Sequence, residues 1–163
     1  MANNYLQFSE QLISLSKEES EWIALLAFLA SDKDDPDHYD DDRNPTSDMA
    51  KLAVELFPEE SYIYTEVFGP QDDGTYSVWF QSEECDDPEA VGTLVQAFLK
   101  KFRHGQNISW PLTWAETCSK SRVGEFAGGA MLVTEDNIFI KHTNEIISEW
   151  QGLLESGHKH LIC

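Results

Sequence analysis

Apolar and polar residues alternate along Tyr5-Leu6-Gln7-Phe8-Ser9-Glu10-Gln11-Leu12-Ile13 closely enough to predict a strand rather than a helix. Ser16 and Glu19 follow with the S-x-x-E spacing of a capping box, in which each side chain satisfies a free backbone N–H of the first helical turn. The helix they open carries Trp22, Leu25, Leu26 and Leu29 at i, i+3, i+4 and i+7, widened by Ile23 and Ala30, so it buries a broad face. From Ser31 to Pro45 neither period survives, which predicts a loop at about 31–46 that stays mobile because its charges repel one another. A shorter helix from Ser47 to Phe57 rests on Met49, Leu52, Ala53 and Leu56, and Pro58 cannot continue it.

Strands at Tyr62–Phe68 and Thr75–Ser82 come next, joined by a Gly- and Asp-rich hairpin loop, with Tyr76, Val78 and Phe80 on one face and Trp79 on the other. The third helix has the clearest signature. Asp87 caps it, Pro88 takes the first helical position, and Val91, Leu94, Val95, Phe98, Leu99 and Phe102 keep the helical period. Lys100, Lys101 and Arg103 suit the negative end of the helix dipole, and Gly105 supplies the left-handed stop. A strand through Ile108, Trp110, Leu112 and Trp114 is expected at an edge or on a bulge because of Pro111. Strands at Phe126–Thr134 and Ile138–Ile140 follow, then a helix at Asn144–Glu155 with Ile146, Ile147, Trp150, Leu153 and Leu154 as its buried stripe. The order β-α-(α)-β-β-α-β, then β-β-α, predicts an α+β two-layer fold. Its core is a mainly antiparallel, split βαβ (ferredoxin-like) sheet with helices packed on it, and a β-β-α extension follows at the C-terminus.

Composition changes the picture in one respect. At 163 residues, 41% hydrophobic and 12% aromatic, the chain suits one folded domain, and no apolar stretch approaches the ~20 residues of a membrane span, which places it in the cytoplasm. Its net charge of −19, however, is all in one half: residues 1–90 hold 23 acids against Lys17, Lys33, Arg43 and Lys51, whereas residues 91–163 hold 7 acids and 7 bases. Such a field repels nucleic acid and anionic membrane and attracts basic protein surfaces, so the expected partner is a basic protein surface and not nucleic acid or membrane. Solubility alone is the plainer explanation of the same charge.

Two segments offer chemistry. The loop is dense in carboxylates, and Asp34, Asp35, Asp37, Asp40, Asp41 and Asp42 are its candidate partner-binding residues. Calcium is the alternative occupant, but Pro36 and the missing glycine break the EF-hand spacing, so a metal-free loop is expected. The stretch Trp114–Ala130 joins Thr117, Cys118, Ser119, Lys120 and Arg122 in one connection, where backbone N–H groups and two cations form a candidate anion site beside a nucleophile-type thiol. None of the five histidines stands at a spacing that pairs it with Cys118, so no catalytic residue is assigned and an inert cysteine beneath a turn is expected. Gly128-Gly129 inside a strand predicts a bulge or tight packing. No phosphate loop occurs, and three widely spaced cysteines without C-x-x-C imply neither a disulfide framework nor structural zinc; no cofactor or metal is implied.

The segment W-A-E-T-C-S-K-S-R-V-G-E-F-A-G-G-A at Trp114–Ala130, with the opening Tyr5-Leu6-Gln7-Phe8-Ser9, resembles a family of small bacterial and phage-associated proteins without an established activity. The chain departs from that pattern at Ser121 and Ala127, where Pro and Gly are expected. The resemblance implies a phage or mobile-element setting and transfers no catalytic residue. Together with the charge, it gives as first expectation a non-enzymatic accessory factor that occupies a basic surface of a partner, such as the nucleic-acid-binding surface of a defence protein. An immunity protein against a nuclease toxin, and a small enzyme or anion-binding protein using Thr117–Arg122, are the alternatives.

Overall fold

The structure, a computed structural model, describes residues 4–33, 35, 37–40, 44–59, 61–82, 87–118 and 127–155. The elements run β1 (Asn4–Leu15), α1 (Lys17–Ser31), α2 (Asp48–Leu56), β2 (Thr65–Phe68), β3 (Tyr76–Ser82), α3 (Pro88–Phe102), β4 (Ser109–Cys118), β5 (Ala127–Thr134), β6 (Ile138–His142) and α4 (Thr143–Glu155). The strands form one six-stranded sheet in the order β2-β3-β1-β4-β5-β6, antiparallel at every pairing. Both crossovers, β1 to β2 through α1 and α2 and β3 to β4 through α3, skip one strand, which is the split βαβ arrangement. β5, β6 and α4 then extend it.

The helix ends form as the sequence dictates. Ser16 and Glu19 make the reciprocal capping box, Ser47 caps α2 through the Ala50 N–H, and Asp87 caps α3 ahead of Pro88. The core lies between the sheet and α1 with α3: Ile23, Leu26 and Leu29 from α1 and Leu94, Val95 and Phe98 from α3 meet Val78, Phe80, Leu112 and Val133. Trp22 and Leu25 flank that stripe instead of leading it.

β1 serves two half-sheets. Residues Asn4–Gln7 pair with β4, and from Phe8 onward the strand pairs only with β3. Where it leaves β4, the Trp110 indole N–H donates to the Gln11 carbonyl at 3.0 Å, and the Gln11 N–H donates to its neighbour Glu10 Oε1 at 3.0 Å, so backbone groups freed from the ladder find other partners. A register shift between Leu12 and Leu15, with Ser14 at φ 58°, returns Leu15 to the core and leaves Ile13 exposed.

Pro111 stands on a locally open side of β4, as expected, because the β1 pairing ends at Ala115, although β4 as a whole is an interior strand. The sequence reading needs two corrections. β4 runs on to Cys118, so Trp114–Cys118 of the supposed Trp114–Ala130 connection is strand. Finally, α4 buries the expected stripe only in part: Ile146 and Leu153 are half-buried, whereas Ile147 and Trp150 are 49% and 56% exposed, and the helix packs against β5 and β6.

Candidate functional site

The acidic half of the chain folds into one end of the molecule. α1, the loop, α2, β2 and β3 lie on the β2 side of β1, while β5, β6 and α4, from the charge-balanced half, lie beyond β4. The charge asymmetry along the chain is therefore an asymmetry across the sheet. Its strength depends on where the few cations go. Lys17 pairs with Glu21 at 3.2 Å, Lys51 pairs with Asp48 at 3.1 Å, and the Lys33 ammonium donates to the Phe57 carbonyl at 2.7 Å. Each described base of residues 1–90 is thus already engaged within that end, where acids far outnumber bases.

The described residues of the loop are more tied down than its composition suggests. Tyr39 is 3% exposed and its hydroxyl donates to the Leu29 carbonyl at 3.2 Å, so it plugs the core beside α1. Burial pushes its phenol above the ordinary range, and the charges of Asp32 and Asp35 push the same way. Tyr39 also forms an isolated antiparallel bridge to Pro45, and the Thr46 N–H donates to the His38 carbonyl at 2.8 Å. Carboxylates close the turns: Asp35 Oδ1 accepts from the Asp37 N–H at 3.0 Å, and Asp40 Oδ1 accepts from the Asn44 N–H at 2.8 Å. His38 Nδ1 lies 3.0 Å from Ser47 Oγ, tying the loop to the cap of α2.

Of the six nominated loop aspartates, Asp35 is half-buried and Asp37 and Asp40 are exposed; Asp34, Asp41 and Asp42 lie outside the described residues. Asp35 and Asp40 thus hold the loop as well as charge it. Among the described residues, no three His, Cys, Asp or Glu side chains gather as a metal site would require.

The candidate anion site is divided in the same way. Thr117 and Cys118 are rungs of the β1–β4 ladder, opposite Tyr5 and Asn4, and Cys118 is half-buried with a free thiol. Ser119, Lys120 and Arg122 lie outside the described residues. Of the two readings of the glycine pair, tight packing is the one realised: the β4–β5 register is unbroken through Gly128 and Gly129, and a Cβ on Gly128 would stand 2.5 Å from the Trp114 carbonyl oxygen.

Elsewhere, charged groups serve the fold. Glu19 binds Arg103 through both carboxylate oxygens, joining the start of α1 to the end of α3, and this contact holds the Glu19 carboxyl below its usual value despite partial burial. Glu135 accepts from the Gly105 N–H at 2.8 Å and from His104, and those bonds lower its pKa in turn.

Sequence reasoning missed two features of the acidic end: the buried Tyr39, and the exposed tyrosines Tyr62 and Tyr64 beside β2. A lone aromatic in a run of aspartates is the signal that marks the first. Comparison with protein-family models, with curated proteins and with solved structures finds no match to this chain.

Proposed function

We propose that the protein is a non-enzymatic binding factor whose acidic end occupies a basic surface of a partner protein. The observation that carries this reading is the charge of that end: residues 1–90 hold 23 acids against four bases, and Lys17, Lys33 and Lys51 are each held by groups of the same end. The setting implied by the resemblance of Trp114–Ala130 is a phage or mobile element, where the partner is a nucleic-acid-binding defence protein and the acidic end competes with nucleic acid for it. A nuclease toxin neutralised by the same end is the nearest variant of this reading.

The test uses the partner recovered by affinity purification from the native host. Its association rate with the wild-type protein falls steeply as salt rises, and nucleic acid competes for the complex. Asp37→Asn together with Glu66→Gln slows association and flattens the salt dependence without moving the melting temperature, because exposed charges contribute little to folding. A rate insensitive to salt and to these changes would remove the electrostatic argument.

A further inference from the structure

The outer edge of β2, and the extended run that leads into it, carry large side chains that the core does not take. Tyr62 and Tyr64 are 59% and 53% exposed, while Ile63 between them is 6% exposed. Extended backbone forces this alternation: turning Ile63 into the core turns both tyrosines out. The backbone is pinned in that state, with the Ile63 N–H donating to Ser31 Oγ at 3.2 Å and the Ser61 N–H donating to the Ala30 carbonyl at 3.0 Å. Rigidly displayed tyrosines lose little entropy on binding, which is why they serve as contact anchors.

β2 continues the pattern. The register sets Glu66 opposite Trp79 and Phe68 opposite Ser77, on the face turned away from Val78 and Phe80, and the Phe68 and Trp79 rings meet at 6.2 Å. By the period of two, Tyr64, Glu66 and Phe68 form one column, aromatic-acid-aromatic, along the last strand of the sheet. Among the described residues no strand pairs with its outer edge. Protein sheets blunt such edges by keeping them short, as β2 is at four residues, and with charged side chains, lysine above all. Here the chain has no Lys or Arg at all between Lys51 and Lys100, but it has eleven acids, Asp72 and Asp73 of the adjoining turn among them.

We infer that the β2 edge is a docking strand for an extended, arginine-bearing segment of a partner protein. The segment adds to the ladder at Thr65–Phe68 and lays its guanidinium groups over Tyr64 and Phe68 beside Glu66. Strand addition supplies backbone hydrogen bonds, and stacking of guanidinium on aromatic faces favours arginine over lysine. A second copy of this chain is disfavoured as occupant, because it would bring two strongly acidic ends together. The inference rests on the binding-factor reading and names the surface that reading uses.

The experiment titrates the protein with a short peptide alternating Arg and Thr, and with its Lys–Thr counterpart, while amide hydrogen exchange is followed by NMR. The arginine peptide is expected to bind about three- to tenfold more tightly than the lysine peptide. It should protect alternate amides of Thr65–Phe68, and Tyr64→Leu with Phe68→Leu should erase the arginine preference while the salt dependence survives. Equal binding of the two peptides, with protection on residues 37–48 instead, overturns the docking strand and leaves the acidic reading standing. No saturable binding by either peptide defeats both. A concentration-dependent dimer in sedimentation that Tyr64→Leu abolishes assigns the edge to a second copy and also overturns the inference.

Discussion

Tyr39 shows how one side chain can organise a segment whose composition argues against order. Its ring is buried and its hydroxyl reaches the Leu29 carbonyl, so the loop between α1 and α2 is anchored near its middle. Tyr39→Ala is expected to cost about 3 to 5 kcal/mol in chemical denaturation, the scale of other large aromatic deletions, and Tyr39→Phe about 1 kcal/mol for the lost hydrogen bond. The raised phenol also sets an alkaline limit. Its neutral form is the one the fold favours, so this contribution is complete below the unfolded value near 10 and is lost as pH rises through the higher folded value. The decline should disappear in Tyr39→Phe. Glu19 works at the other end of the scale: its lowered carboxyl contributes stability above the unfolded value near 4.5, lost as pH falls through the lower folded value. Arg103→Ala should remove that acid dependence and cost about 1 to 3 kcal/mol, since Glu19 is only 12% exposed and would keep its charge without its partner. An unchanged acid limb in Arg103→Ala would show that other carboxylates set it.

Most elements were legible because their signals are local. The capping box at Ser16, the Asp87-Pro88 start of α3 and the Gly105 turn, at φ 72°, depend on neighbours within a few residues, and each appears where the pattern puts it. What the local period could not give depended on distant chain. That Pro111 meets an open side inside an interior strand is decided by where β1 departs from β4, and that Ile147 and Trp150 stay exposed is decided by what α4 meets. Gly128 makes the same point at the level of a pair of strands. Gly128→Ala should destabilise the β4–β5 pairing by about 1 to 3 kcal/mol, because the added methyl meets Trp114 backbone rather than a side chain that can turn away. A melting temperature equal to that of the wild type would show that the strands can separate to admit it.

For the whole molecule, the arrangement of charge matters more than its sum. The sheet order carries the acidic segments to one end, and charge-balanced segments lie at the other, so the molecule carries a directional field. Association with a basic partner should therefore weaken as pH falls through the carboxylate range, with Asp73 among the last groups to discharge because Thr75 donates to it through hydroxyl and backbone. Surface plasmon resonance across that pH range tests this, and binding that strengthens at low pH would refute it. The sequence by itself determined the element order, the α+β class, the split βαβ core and the size of the charge, since hydrophobic period, caps and composition act over short distances or are additive. Tertiary structure alone decided that the charge collects at one end, that Tyr39 plugs the loop into the core, and that Tyr62 and Tyr64 stand outward beside an edge that no described strand covers. Those outcomes follow from strand order and burial, and both depend on contacts between residues far apart in the chain.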